Sequence, residues 1–261
     1  MELEFSALTD VGRLRANNED AVVVMPDHGL VVLADGMGGY NAGEVASALA
    51  VNLISSELAR WLDQAAHLAS ARDVRRAMEI CVDNANREIF DTANTNEACS
   101  GMGTTLVMAV AHGATLVVGH VGDSRAYRWR AGALVQLTRD HSLLQEQIDI
   151  GLITPEEAAA SANRNLVTRA LGVEDTVLLD AQEVPMEPGD VYLLCSDGLN
   201  DMVTDDGIAA VLESHAPLDN LARRLVDAAN EAGGRDNVSV VLIRAAETPK
   251  KSGVLSKLLR K

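Results

Sequence analysis

Leu30-Val31-Val32-Leu33-Ala34-Asp35-Gly36-Met37-Gly38-Gly39 decides the fold and also points to the chemistry. The apolar run is short, rich in β-branched residues and closed by Asp-Gly, so it reads as a buried strand rather than a helix. Asp35 leaves that strand from dry surroundings, which is costly unless a cation meets it. The theme recurs in Val121-Gly122-Asp123-Ser124-Arg125 and in Cys195-Ser196-Asp197-Gly198, and is reversed in Arg235-Asp236-Asn237-Val238. No lysine occurs in the first 249 residues to neutralise these groups. Four strand-end aspartates in that setting point to hard metal ions held by oxygen ligands. Glycines let the backbone approach a ligand, and the bare carbonyl of Gly36 suits such an ion. A dinucleotide loop fits poorly, because Asn41 stands where a third glycine belongs and Asp35 would repel a pyrophosphate.

Working outward, strands are expected at 3–9, 20–25, 30–34, 104–111, 115–121, 125–130, 134–137, 177–183, 191–196 and 238–244. Helices are expected at 42–61, 73–94, 204–213 and 217–231, with Asn41 to Glu44 at capping-box spacing and Ser70 ahead of the second. Thr154-Pro155-Glu156-Glu157 starts another helix, and residues 130–132 suit a tight hairpin. Adjacent strands outnumber strand–helix–strand units, so the sheets should be mainly antiparallel. The expected fold is α+β, a four-layer αββα sandwich of two sheets flanked by paired helices. Residues 141–172 read as an irregular excursion over one edge.

The 261 residues carry a net charge of −16, with 48% hydrophobic and 23% charged residues. Such an acidic chain argues against nucleic acid as a partner. It suits divalent cations, and phosphate chemistry here needs metals plus a placed arginine to reverse the local sign. Cys81, Cys99 and Cys195 are too few and scattered for a disulfide framework or a zinc site. No stretch reaches the length of a membrane span and Met1–Phe5 lacks a signal-peptide pattern, so a cytoplasmic protein is expected. All four lysines lie in the last twelve residues, marking 248–261 as a basic tail beyond a domain of 1–247.

Gly12-Arg13-Leu14-Arg15-Ala16-Asn17-Asn18-Glu19-Asp20 precedes a strand. Arg15 can fork onto a phosphate while Glu19 and Asp20 hold metal-bound water; an ion-paired loop is the plain alternative. Cys81 and Arg87 have the spacing of a cysteine phosphatase, but the residues between them lack glycine and follow a helical pattern. His112, His120 and His141 read as structural or surface groups.

Taken together, ArgAlaAsnAsnGluAsp, AlaAspGlyMetGlyGly, AlaGlyGlu, GlyMetGlyThrThr, ValGlyAspSerArg, ThrArgAlaLeuGly, SerAspGly and ArgAspAsnValSer, in this order, resemble the metal-dependent serine/threonine protein phosphatases of type 2C, in their compact bacterial form. The resemblance runs from about residue 3 to 245. It implies a centre of two Mn²⁺ or Mg²⁺ ions, with Asp35 bridging them, the Gly36 carbonyl on one, and Asp197 and Asp236 on the other. It implies catalytic roles for Arg15, Glu19 and Asp20, the first binding substrate phosphate and the acids acting through water. Asp123 would anchor a third, looser ion, with 141–172 as a flap beside it. The implied reaction is hydrolysis of phosphoserine and phosphothreonine by a metal-bridged hydroxide, opposing a bacterial-type kinase, by a monomer whose partners are phosphoproteins. Where some relatives carry a histidine near the metal glycines, this chain has Met37 and Tyr40. A non-catalytic phosphoprotein-binding module and a hydrolase of small phosphomonoesters remain as alternatives.

Overall fold

A computed structural model describes residues 1–38, 42–65, 67–159, 161 and 166–246. Strands β1 (Glu2–Asp10), β2 (Asp20–Met25) and β3 (Leu30–Met37) precede two long helices, α1 (Ala42–Ala65) and α2 (Ala71–Thr95). Then come β4 (Gly103–Thr104), β5 (Leu106–His112), β6 (Thr115–Val121), β7 (Arg125–Arg130) and β8 (Ala133–Gln136). Short helices α3 (Leu143–Asp149) and α4 (Pro155–Ala159) lead to β9 (Asp180–Pro185) and β10 (Val191–Cys195). Helices α5 (Asp197–Asn200), α6 (Asp205–Leu212) and α7 (Leu218–Glu231) and strand β11 (Val238–Ala246) complete the chain.

One sheet has the order β1-β11-β10-β7-β8, the other β2-β3-β5-β6-β9 with β4 beside β3, and the ladders are antiparallel as expected. The period-2 geometry of β3 explains why its sequence does not alternate. Val31 and Leu33 point between the sheets, against Val107, Tyr192, Leu194 and Val241. Leu30, Val32 and Ala34 point the other way, against Ile54 and Leu58 of α1 and Met78 of α2. The second sheet does the same, sending Leu193, Cys195, Val240 and Leu242 onto Leu221 and Leu225 of α7. The central strands of both sheets are thus dry on both faces, while the edge strands β1, β8 and β9 stay partly exposed, and each fully buried Leu or Val contributes about 1.5–3 kcal/mol. The result is the four-layer sandwich.

Local chemistry fixes the connections. Ser70 accepts from the backbone N–H of Asp73, whose carboxylate accepts from the N–H of Ser70, a reciprocal cap on α2. Thr154 and Glu157 do the same for α4. Arg130 pairs with Ala133 around Ala131 (φ 49°) and Gly132 (φ 84°), the left-handed pair that a two-residue hairpin demands. The expected cap at Asn41 lies outside the described residues.

Two expectations need correcting. The 141–172 segment is not irregular throughout: besides α4, which starts where Thr154–Glu157 announces it, the segment holds α3, and a bridge joins Ser142 near its start to Val167 near its end. Strand β9 starts at Asp180 rather than 177, because Val177 and Leu179 pack onto the α1–α2 core before the ladder begins.

Candidate active site

Antiparallel pairing sends the starts of β2, β7 and β11 and the ends of β1, β3, β6 and β10 to the same edge of the sandwich. Asp20 opens β2, Asp35 lies near the end of β3, and Asp123 sits in the turn between β6 and β7. Asp197 opens α5 just after β10, and Asp236 precedes β11. Five aspartates therefore meet although 216 positions separate the first from the last (236 − 20). Asp20, Asp123, Asp197 and Asp236 all raise the Asp35 carboxyl, and Asp20, Asp123 and Asp236 raise that of Asp197.

Backbone and hydroxyl contacts hold this edge in place. The Asp35 carbonyl accepts from Thr105 N–H at 2.9 Å and from Thr104 Oγ1 at 2.8 Å, and Thr105 Oγ1 in turn lies 2.7 Å from Ser124 Oγ. Ser196 Oγ donates to Asp20 Oδ2 at 2.8 Å and accepts from Ser239 N–H at 3.0 Å. Asn237 accepts from Glu19 N–H and donates to the carbonyls of Val11 and Asn17, so it ties the Arg15 loop to the start of β11. Gly36 is obligatory: a Cβ there would sit 2.1 Å from the Gly43 carbonyl oxygen. Gly198 is equally tight, 2.0 Å from Asn237 O, which seats Asp197 against the 236–237 turn.

Arg15 reaches this group, its Nη2 donating to Asp236 Oδ2 at 2.7 Å while its side chain stays 52% exposed. Arg125 lies near Asp123 but is engaged by Asp140 through bonds of 2.6–3.0 Å. Burial, and then the neighbouring aspartates, hold Asp35 and Asp197 well above the ordinary carboxylate range. Burial pushes Asp20 up to about 6, and burial and then Asp140 push Asp123 up to about 6. Glu19 is also raised, mainly by desolvation, against the pull of Arg15. Asp20 Oδ1 and Asp197 Oδ1 are buried without a hydrogen-bond partner. Unpartnered buried carboxylate oxygens are expensive, and oxygen donors of this kind fit a hard divalent cation.

A cavity of about 270 Å³ opens beside Asp123 and Asp197, roofed by Leu144, Ile148, Pro155 and Ala158 of α3 and α4. On the other side of the Asp123 turn, His120, His141 and Asp180 place nitrogen and carboxylate atoms within 4.8 Å of one another. Each candidate residue read from the sequence thus lies at this edge: Arg15, Glu19, Asp20, Asp35, Gly36, Asp123, Asp197 and Asp236. Thr104, Thr105, Ser196, Asn237 and Ser239, which hold them, were not singled out. All five sit inside the quoted motifs, and Ser196 and Asn237 stand directly beside an aspartate. Cys81 and Cys195 lie in buried positions where desolvation pushes both thiols up to about 12, so neither is a nucleophile.

Known proteins carry the same pattern. Residues 13–242 match the family model described as protein phosphatase 2C. The serine/threonine phosphatase stp of Listeria monocytogenes is 39% identical over 253 residues, covering 96% of this chain and 98% of that one. The protein phosphatase PhpP of Streptococcus pneumoniae is 38% identical over 248 residues, covering 94% and 98%. The crystal structure of the serine/threonine phosphatase PstP/Ppp of Mycobacterium tuberculosis superposes with a TM-score of 0.86 at 38% identity, covering 94% of this chain and 99% of that one. A PstP catalytic domain in complex with two manganese ions superposes with a TM-score of 0.80 at 39% identity, covering 94% and 99%. Matched along nearly its whole length in both sequence and fold, this chain belongs to the protein phosphatase 2C family.

Proposed function

We infer that this chain is a metal-dependent protein serine/threonine phosphatase, hydrolysing phosphoserine and phosphothreonine in proteins. The observation that carries the reading is the pair of unpartnered buried oxygens, Asp20 Oδ1 and Asp197 Oδ1, inside a group of five aspartates that one arginine touches. Asp35, the Gly36 carbonyl, Asp197 and Asp236 would hold two Mn²⁺ or Mg²⁺ ions, and Asp123 a third. When bound, such ions lower the pKa of a water from 15.7 towards about 7 and offset charge on a phosphoryl group.

The chain's own residues do the rest. Arg15 swings its exposed guanidinium from Asp236 towards phosphate, for which its planar fork is suited. Glu19 and Asp20 orient water at the edge of the group, Asp20 being held by Ser196. Thr104 and Thr105 fix the Asp35 backbone, so that the carboxylate needs little reorganisation when charge develops. The half-exposed position of Arg15 leaves the phosphate site open to a polypeptide, which favours protein over small-molecule substrates.

All the candidate residues come from one chain, which supports a monomer as the working unit. Three free cysteines support a cytoplasmic setting, where a serine/threonine kinase and its substrates would be the partners. Among the described residues no helix is long and apolar enough to cross a membrane. Residues 1–247 would form the catalytic domain and 248–261 a basic tail. The test is phosphate release from a phosphothreonine peptide with Mn²⁺. Activity abolished by chelation and by Asp197→Asn supports the reading, whereas folded, metal-supplied protein that releases no phosphate from varied phosphopeptides returns it to a binding module.

A further inference from the structure

His141 opens the flap segment and touches four parts of the fold at once. Its N–H donates to Gly122 O at 2.9 Å, and its carbonyl accepts from Thr168 N–H at 2.8 Å, where the segment returns. Its ring nitrogen Nδ1 lies 3.0 Å from Gly122 N, and Nε2 lies 3.0 Å from Asp180 Oδ2. The ring stacks on His120 at 4.6 Å, and His120 is itself anchored on the Arg139 carbonyl at 2.7 Å. His141 is buried.

These contacts fix the tautomer. A backbone N–H can only donate, so Nδ1 must accept and the proton sits on Nε2, facing Asp180. The Arg169 guanidinium, 3.2 Å from both Nε2 and Asp180 Oδ1, pairs with the carboxylate and not with the ring. Burial draws the His141 pKa below its ordinary value and keeps the ring neutral. The same facts rule against a metal at His120, His141 and Asp180. A metal-bound imidazole must donate from its other nitrogen, whereas Nδ1 here accepts, and Arg169 already supplies the positive charge.

What the ring does instead is hold the turn that carries Asp123. Gly122 has φ 101°, and its two hydrogen bonds to His141 are the ones that set the direction in which the next residue leaves β6. Thr105 packs on the other side, close enough that a Cβ on Gly122 would lie 2.8 Å from its own Cβ. We propose that His141 is a positioning residue for Asp123, clamping the Gly122–Asp123 turn to both ends of the flap so that the Asp123 carboxylate is held ready for its ion. This rests on the reading of Asp123 as a metal ligand.

The experiment compares wild type, Asp123→Asn, His141→Leu and His141→Asn by Mn²⁺ titration calorimetry and by hydrogen exchange at the Gly122 amide. Asparagine can place its Oδ1 where Nδ1 accepts; leucine cannot. Asp123→Asn and His141→Leu should both weaken the loosest Mn²⁺ site by about tenfold or more, with His141→Asn within roughly threefold of wild type. The Gly122 amide should exchange slowly in wild type and His141→Asn and fast in His141→Leu. If Asp123→Asn weakens Mn²⁺ binding while His141→Leu leaves both readouts at wild-type values, the positioning role is wrong and the metal reading stands. If Asp123→Asn changes nothing, the ligand assignment falls and the inference with it. Should His141→Leu not fold, His141→Gln replaces it, since Gln keeps a donor towards Asp180 but offers Gly122 no acceptor in the same place. Equal Mn²⁺ affinity in His141→Gln and His141→Asn would overturn the proposal.

Discussion

Asp20 and Asp35 are direct cross-strand partners in the antiparallel β2–β3 ladder, a buried carboxylate beside a half-buried one. Side chains opposed in this way lie about 4.5–5.5 Å apart at Cβ, and like charges so placed destabilise a sheet. A fold that keeps both acids there gives up stability in its metal-free form. Bound divalent cations would return it.

That arrangement sets the pH dependence. Asp20 and Asp123, pushed up to about 6, and Asp35 and Asp197, held well above the usual range, keep protons in the metal-free folded state that the unfolded chain releases near pH 4. The folded state binds more protons in that window, so stability falls as pH rises from about 4 to 6 and beyond. Thermal unfolding in EDTA should show a lower Tm at pH 8 than at pH 6. Mn²⁺ at a hundredfold excess over its Kd should add about 2.7 kcal/mol per site. Asp35→Asn should flatten the pH dependence in EDTA and remove most of the gain from Mn²⁺.

Arg15 is read as a phosphate ligand and not a structural pair, because it is half exposed and its contact with Asp236 sits at the mouth of the site. Arg15→Ala should lower kcat/KM on a phosphopeptide by roughly 10–100-fold, the worth of a charge-assisted contact. Arg15→Lys should recover only part of that loss, lacking the planar fork. Mn²⁺ affinity, measured alongside, should change little in either variant.

Gly36 and Gly198 have no room for a methyl group, and what stands in the way is backbone. Gly36→Ala must displace the start of α1 or the Glu19 segment, and Gly198→Ala must part α5 from Asn237. Each should cost about 3 kcal/mol or more in denaturant unfolding. Gly132→Ala, where a Cβ meets nothing within 4 Å, should cost less, its penalty coming from the left-handed backbone alone.

Ser196 links Asp20 to the Ser239 amide. Ser196→Ala leaves one buried donor and one buried acceptor unmatched, and should lower stability by about 1–3 kcal/mol. Its effect on Mn²⁺ affinity should exceed that of Ser56→Ala, an exposed helix serine used as a control.

Much of this was legible in the sequence because the site lies where strands end. A strand end announces itself by an apolar run closed with turn residues: Asp35 and Asp197 close theirs as Asp-Gly and Asp123 as Gly-Asp, while Asp236 stands at the mouth of the last strand. What could not be read is the long-range partner. Asn237 bonds Glu19 N–H across 218 positions, and nothing local to Arg235-Asp236-Asn237 names that partner. His141 reads as structural or surface from sequence for the same reason: its contact with Gly122 exists only once β6 brings that glycine to its ring. Helices α3 and α5, of seven and four residues, are too short to show periodicity. The β9 boundary slipped because Leu178, 69% exposed, stands between two residues that pack on the core, which reads as an alternating strand three residues too early.

The most direct test of the central claim is an anomalous difference map from crystals grown with Mn²⁺. The account predicts two strong peaks about 3.5–4 Å apart, ringed by Asp35, Gly36, Asp197 and Asp236, and a weaker one at Asp123. A map with no peak among these aspartates, or with its strongest peak at His120, His141 and Asp180, would contradict it.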